Sequence, residues 1–378
     1  MVNRVSSIIG LALFSLFSFA AAAKHPFEPA IAKEVRLDGV PGMAYAIREN
    51  GDWTVGTLGV RSLKRGEPVT DETLFPLASV SKTFAGTLAA LLASEGLLDL
   101  DTPLTEEWPG FRLAPRNVAQ QITVGHLLSH TGGVVPNAYD NLLEAGKTIP
   151  EIIPSFKKVK PLCKPGECYG YQNVMFSLAE PALAHAGGSD YPILVKDRIF
   201  TPLGMADSGV GFAFYNGSNN KAVPHVKARK QWYQRRHKPN YYRATPAAGV
   251  NASIRDMVLW VDAIMGKRPD VVPTDAIQLA TSPRVNSTRE RWRRHWRDHV
   301  SRTWYALGWR IFRFDGQDIV LHGGGVTGFR TLISFLPGED TALVLLFNGE
   351  TRIHDKIATA FWTDVMDKKR KALAAKAR

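Results

Sequence analysis

Ser79 and Lys82 stand three residues apart in Ser79-Val80-Ser81-Lys82. If a helix opens at Ser79, that spacing puts both side chains on one face, one turn apart. A serine hydroxyl is a weak nucleophile until a neighbour takes its proton, and a neutral amine within hydrogen-bond reach can do that. Helix N-terminal amides around Ser79 would favour the negative charge that develops on reaction. The four-residue pattern also recurs by chance, with Ser81 as a helix cap and Lys82 as a solvated lysine, so its surroundings decide between the readings.

Two other patterns could do chemistry. Cys163 and Cys168 flank Lys164-Pro165-Gly166-Glu167, a tight turn because Pro fixes φ and Gly accepts positive φ. Such a turn brings its flanks within reach of a disulfide, with two free thiols as the other reading; two cysteines alone do not make a zinc site. His295 and His299 are spaced i, i+4 and could bind a metal if helical. In so Arg- and Trp-rich a stretch, a solvated helix face is the simpler reading.

The elements that must position these residues follow from periodicity. Pro41–Arg48 and Trp53–Val60 alternate apolar and small residues around Glu49-Asn50-Gly51-Asp52, a β-hairpin pattern. Thr73–Val80 leads into a helical pattern over Lys82–Glu95 that Gly96 ends. Ile122–Ser129, Tyr171–Ala186 and Ser253–Met265 also read as helices, the last with Ser253 as N-cap. Trp304–Arg313, Asp318–His322, Phe329–Phe335 and Thr341–Phe347 read as successive strands, and Ile353–Lys368 as a final helix. Strands thus cluster at both ends of the chain. The economical arrangement is an α/β (α+β) fold, one antiparallel sheet built from both termini and flanked by helices, with a mainly helical region inserted. A substrate site is expected in the cleft between the two parts.

The chain has 378 residues, 45% hydrophobic and 22% charged, which is ample for a large core. Residues 1–23 carry Arg4, the apolar run Ile8–Ala20 and small residues at Ala21-Ala22-Ala23, the pattern of a secretory signal too short for a convincing membrane span. Residues 24–378 are then the mature domain, exported to the periplasm or beyond, where a disulfide would persist. The net charge is +12, with basic residues concentrated in Lys221–Arg243 and Arg284–Arg310 among Trp, Tyr and His. Export argues against a nucleic-acid partner. A solvated basic surface, extended at most to attraction towards an anionic cell envelope, is the reading kept.

The segments around the first motif resemble those of the class C β-lactamases and their penicillin-binding and esterase relatives, for which Ser-x-x-Lys is a signature. Thr73-Leu74-Phe75-Pro76-Leu77-Ala78-Ser79 looks like the approach to that family's nucleophile. Glu95-Gly96-Leu97-Leu98-Asp99 is similar to the turn after its first long helix, and His126-Leu127-Leu128-Ser129-His130-Thr131-Gly132-Gly133 to one of its most recognisable stretches. Phe200-Thr201-Pro202-Leu203-Gly204-Met205 and Gly249-Val250-Asn251-Ala252-Ser253 also fit, so the likeness runs in order over residues 35–365. It implies a β-lactamase/transpeptidase-like fold, its α/β part over about 35–80 and 300–378 and its helical part over about 81–299.

The resemblance also implies roles. Tyr171-Gln172-Asn173 looks like the family's Tyr-x-Asn motif, Tyr171 handling protons with Ser79 and Lys82, and Asn173 meeting substrate and orienting Lys82. Tyr171 could act as a phenolate at neutral pH only where positive charge favours its ionised form. The proposed disulfide just before this motif would brace Tyr171. Where the β-lactamases carry Lys-Thr-Gly, this chain reads His322-Gly323-Gly324, followed by Gly325, whose amide would join that of Ser79 in an oxyanion hole. Substrate would lie close to this glycine run, and His322 could replace the lysine charge only when protonated. Asn137 stands where the family often has a Gln that meets the acyl side chain; Arg330 and Arg352 are candidate carboxylate partners. Together these imply an acyl-enzyme hydrolase of β-lactams or D-amino-acid peptides that needs no metal or cofactor. A carboxylesterase on small acyl esters and a penicillin-binding sensor that deacylates slowly are the alternatives.

Overall fold

The computed structural model describes residues 25–376, so the expected signal sequence lies outside the described residues. Helix α1 (Glu28–Asp38) leads into strands β1 (Gly42–Glu49) and β2 (Asp52–Gly59). Their two-residue turn is Asn50-Gly51, with φ 57° and 96°, as a tight hairpin twisting with its strands requires. Helix α2 (Ser81–Ser94) follows, then α3 (Val124–Leu128), α4 (Asn173–Ser177), α5 (Glu180–Gly187), α6 (Ile254–Ile264) and α7 (Thr274–Thr281). The chain returns to the sheet as β3 (Val285–Asn286), β4 (Val300–Tyr305), β5 (Arg310–Phe314), β6 (Gln317–Val326), β7 (Phe329–Phe335) and β8 (Ala342–Phe347), and ends in α8 (Ile353–Lys376).

These strands form one antiparallel sheet in the order β2-β1-β8-β7-β6-β5-β4-β3. The two ends of the chain meet where β1 pairs with β8, Met43 opposite Phe347 and Ile47 opposite Leu343. Successive side chains leave a strand on opposite faces, so each strand feeds two cores. Met43, Ile47, Leu343 and Leu345 pack with Ile31 of α1 and Phe361 and Trp362 of α8. Ala44, Ala46, Val344 and Leu346 join a larger core with Phe84 and Leu88 of α2 and Trp260 of α6. The expected architecture of a terminal sheet with an inserted helical region is therefore present.

Helix α2 is the centre of that region. Ser81 through Leu92 are all buried, with Phe84 stacked on Trp260 at 4.2 Å. Trp260 and Trp309 donate their indole N–H groups to Thr83 and Thr87 at 3.3 and 3.2 Å, which satisfies buried polar atoms on both flanks. The expected cap of α6 is formed, Ser253 Oγ accepting from the Asp256 amide at 3.1 Å.

Two expected elements are divided. Trp304–Arg313 is two strands, because Ala306–Trp309 turns with Gly308 at φ 72°. That turn lies backbone to backbone on α2: a Cβ on Gly308 would overlap the Lys82 carbonyl, and one on Gly86 the Leu307 carbonyl. Tyr171–Ala186 is two helices, since Pro181 in the first turn of α5 has no N–H to continue an earlier helix. Tyr171 itself precedes α4. The Ile122–Ser129 pattern shortens to α3, capped by Thr123 and stopped before His130 at φ 57°.

Candidate active site

Ser79 sits in a single 3₁₀ turn, Ala78–Val80, that feeds directly into α2. Ala78 is buried and held at φ 50°, a left-handed conformation that costs a non-glycine residue of order 1 kcal/mol. The turn is pinned from two sides. Leu77 donates its amide to Val250 O at 2.9 Å, and Thr331 Oγ1 of β7 donates to Leu77 O at 2.8 Å. A Cβ on Gly324 of β6 would overlap Leu77 O and Thr331 Oγ1 and come within 3.2 Å of the Ser79 amide nitrogen. Gly324 thus lets the strand meet the serine turn. Gly324 is buried, whereas Gly325 is exposed and Gly323 partly so.

Neither Ser81 nor Lys82 is a surface residue. Both are 0% exposed, and Ser81 Oγ accepts from the Val250 amide at 2.9 Å. Lys82 Nζ has three polar neighbours: Asn173 Oδ1 at 2.8 Å, Ala247 O at 3.0 Å and Ser79 Oγ at 3.2 Å. Burial holds the amine well below its usual range; Asp140 opposes that shift and Arg310 adds to it. A neutral amine has two hydrogens and one lone pair. The two carbonyl-type oxygens can only accept, so they take the hydrogens and the lone pair is left for the Ser79 hydroxyl.

Tyr171 donates its hydroxyl to Ser79 Oγ at 2.8 Å. Burial pushes its pKa up to about 12, against the opposing pull of Arg310 and of the hydrogen bond to Ser79. The ionised form is therefore disfavoured, and Tyr171 is a phenol that can pass a proton along the Ser79–Lys82 line. Asn173 is oriented from behind, its Nδ2 donating to Asp140 Oδ2 at 2.7 Å, which leaves Oδ1 for Lys82. Asn137, exposed and at φ 56°, donates its backbone amide to Tyr171 O at 2.8 Å.

The wall behind Tyr171 differs most from expectation. His322 is 0% exposed, with Nε2 3.0 Å from the Tyr305 hydroxyl and Nδ1 2.9 Å from Gly323 O. The carbonyl can only accept, so Nδ1 carries the hydrogen and Nε2 accepts from Tyr305. Burial, reinforced by Arg310 and Lys82, holds the imidazole well below its ordinary range. His322 is neutral and turned inward, and offers no charge to a substrate carboxylate.

The fixed positive charge comes instead from Arg310 on β5. Its guanidinium lies 5.1 Å from the Tyr171 ring centre and 5.6 Å from that of Tyr305, and pairs with Glu290 at 3.1 Å. His130 completes the cage with its ring centre 4.4 Å from that of Tyr171, its Nδ1 accepting from the Gln172 amide at 3.2 Å. Arg310, Glu290, Asp140 and His130 were not singled out from the sequence. The one signal the sequence offers is Arg310 inside the largely apolar run Trp304–Phe314, at the end of the basic stretch Arg284–Arg310. That stretch is partly interior: Trp296 is buried, and Arg293 pairs with Asp355 at 3.2 Å.

The remaining candidates lie further out. Arg330 is the exception: it pairs with Glu350 at 2.8 Å, and its guanidinium packs beside Gly325, where a Cβ would come within 3.2 Å of it; Arg352 is exposed. His295 and His299 stand in consecutive turns rather than a helix, and His299 faces Asp315 at 3.3 Å. Among the described residues, no group of three or more His, Cys, Asp or Glu is arranged to hold a metal ion. Cys163 and Cys168 are joined in a disulfide with a Cα–Cα distance of 6.2 Å. Their loop docks on the turn after α3, Leu162 donating to Gly133 O and Gly166 to Thr131 O at 2.7 and 2.8 Å.

Comparison with known proteins accords with this geometry. Residues 27–363 match the sequence profile of the Beta-lactamase family. The chain belongs to the Beta-lactamase family. By that membership it is a serine hydrolase. It is 26% identical to "Penicillin-binding protein 4" of Amycolatopsis lactamdurans, over 86% of this chain and 84% of that one. It is 24% identical to a "Beta-lactamase" of Escherichia coli strain K12, over 82% of this chain and 84% of that one. The octameric penicillin-binding protein homologue from Pyrococcus abyssi shares the fold, with a TM-score of 0.79 at 21% identity over 90% of this chain and 77% of that one.

Proposed function

We propose that Ser79 is the nucleophile of a two-step acyl transfer to water. Lys82 takes the Ser79 proton as Oγ bonds to an amide or ester carbonyl carbon. The resulting oxyanion rests on the amides of Ser79 and Gly325. That proton passes through Tyr171 to the leaving nitrogen or oxygen as its bond to the acyl carbon breaks. Water then attacks the acyl-enzyme, giving its proton back through the Tyr171–Lys82 pair, and the acid leaves with Ser79 restored. Asn173 orients Lys82 and meets the substrate, and Asn137, whose backbone amide is bonded to Tyr171 O, also meets the substrate. The observation that carries this reading is the contact set of Lys82 Nζ, 3.2 Å from Ser79 Oγ and within 3.0 Å of two oxygens that can only accept, so that the neutral amine has its lone pair free for Ser79.

The substrates are small acyl compounds. β-Lactams and D-amino-acid peptides of the cell wall are the first class, in keeping with the penicillin-binding and β-lactamase relatives. One observation favours a second reading, a carboxylesterase: neutral, buried His322 occupies the place of a lysine that would grip a substrate carboxylate. Export is part of the proposal, supported by the Cys163–Cys168 disulfide, which an oxidising compartment preserves. Among the described residues no helix is long and apolar enough to cross a membrane.

Mass spectrometry of the intact protein with penicillin and with p-nitrophenyl esters tests this. Each acyl group should add to the wild type and to neither Ser79→Ala nor Lys82→Ala on the same timescale. Rapid penicillin turnover supports a β-lactamase and ester turnover alone an esterase. A penicillin adduct that persists supports a sensor. An adduct on Ser79→Ala overturns the nucleophile.

A further inference from the structure

A cavity of about 590 Å³ opens beside the serine turn, lined by Ala78, by Val326 and Thr327 at the end of β6, and by the loop Arg235–Tyr242. Ser79 and Gly325 border it through their chain neighbours Ala78 and Val326, whereas Lys82, Tyr171 and Asn173 have neither themselves nor an adjacent residue in its lining. That asymmetry fixes which part of a substrate it can take. A leaving group must lie against the Tyr171 hydroxyl to receive its proton. The acyl chain then points the other way, along β6 past Gly325 into this cavity.

The far rim is strongly basic. Arg235, Arg236 and Lys238 are exposed, and among the described residues none of the three has a carboxylate partner. One acidic side chain, Glu144, lines the cavity, and it accepts from Tyr241 at 2.9 Å. On the other side of the loop, a second cavity of about 430 Å³ is lined by Lys64, Lys221, Arg235 and Arg236 with no acidic residue. Like charges gathered in this way repel, and a bound anion relieves the repulsion.

The loop is anchored, so its cations are presented rather than trailing in solvent. His237 packs its ring against Tyr215 and Phe329, with centres 4.8 and 5.2 Å apart, and its Nε2 lies 3.2 Å from the Tyr242 hydroxyl. Tyr242 in turn donates to Asn251 Oδ1 at 2.6 Å. The cations on either side of His237 therefore stand at a defined edge of the cleft.

We propose that this cavity is the acyl-side subsite and that it selects acyl groups carrying a carboxylate, held by Arg235, Arg236 and Lys238. The selection rests on Ser79 being the nucleophile. It reverses the polarity of the Lys-Thr-Gly pattern, because the anion is read on the acyl side while the wall on the leaving-group side presents neutral His322.

The test compares the p-nitrophenyl monoester of glutaric acid with p-nitrophenyl pentanoate, of equal acyl length without the charge. It uses the wild type and the triple variant Arg235→Gln/Arg236→Gln/Lys238→Gln. In the wild type at low salt, kcat/KM for the glutarate ester should exceed that for the pentanoate roughly tenfold or more, and the ratio should fall towards one in about 0.5 M NaCl. The triple variant should bring the ratio close to one at low salt. Because the ratio is internal to each protein, loss of folded enzyme lowers both rates alike, and the salt series in the wild type stands without the variant. Equal rates for the two esters, or a preference that survives high salt and the triple variant, overturns the subsite. If neither ester is cleaved while penicillin acylates Ser79, the nucleophile stands and the subsite fails; if neither the esters nor penicillin acylate Ser79, the nucleophile reading itself fails and takes the subsite with it.

Discussion

At the scale of single residues, the chemistry of the cleft depends on which groups hold protons. Lys82 must be neutral to act as a base, and burial, opposed by Asp140 and aided by Arg310, moves it in that direction. Tyr171, pushed up to about 12, keeps its proton across the working range. For an ester substrate, kcat/KM should therefore rise with pH along one acid limb belonging to Lys82 and then stay level to at least about pH 10. An alkaline fall between pH 8 and 10 would mean that Tyr171 ionises early. Arg310 tunes the same limb. Arg310→Met removes a charge that favours neutral Lys82, so the limb should move to higher pH, by roughly half a unit or more. The variant also strips Glu290 of its 3.1 Å partner and leaves it Arg293 at 3.9 Å, at a cost of about 1–3 kcal/mol by denaturant unfolding. Arg310→Met/Glu290→Gln should recover much of that stability but keep the displaced limb. An unmoved limb in both variants would reduce Arg310 to a structural role.

At the scale of elements, the site is made where backbones approach one another without side chains between them. The β4–β5 turn touches α2 through Gly308 and Gly86, and β6 touches the serine turn through Gly324. Both approaches set where Ser79 and Lys82 lie relative to the strand. The Cys163–Cys168 loop acts on the other wall, since it docks on Thr131 and Gly133 and the His130 carbonyl accepts from Gly170 at 2.9 Å, one residue before Tyr171. Closing so short a loop restricts the unfolded chain by about 2 kcal/mol in the entropy model. Cys163→Ser/Cys168→Ser should lower stability by that order in denaturant unfolding, and it should slow acylation further than Ser79 accessibility explains if the loop braces Tyr171. A double variant with native stability and native acylation would show that the loop is passive.

At the scale of the whole molecule, the buried titratable groups set opposing pH dependences. Burial lowers His237 and His354 to about 4, below the ordinary 6.5. Each contributes stability that is full above pH 6.5 and is lost as pH falls through its folded value. Glu180 runs the other way: burial, with Asp190 nearby, raises it from 4.5 to about 7. Its contribution is full below pH 4.5 and is lost as pH rises through about 7. The Tm of Glu180→Gln should therefore match the wild type near pH 4.5 and exceed it above pH 7. A constant difference across that range would contradict the raised carboxyl.

The sequence by itself marked Ser79 and Lys82 as a pair within reach of one another and determined the outline of the sheet. Ser79 with Lys82, the Asn50-Gly51 hairpin and the C-terminal strands are local patterns, and local patterns are set by spacing along the chain. The split of Trp304–Arg313 was hidden because Gly308 turns the chain where α2 stands against it, a contact between residues more than two hundred positions apart. His322 was legible as a departure from Lys-Thr-Gly. Only the tertiary structure turned it inward, made it neutral and put the permanent charge on Arg310 of the neighbouring strand. Burial and charge partnership are properties of the packed molecule. Hence the Ser79–Lys82 pair could be read from sequence, whereas the burial and charge around it and the basic rim beyond Thr327 could not.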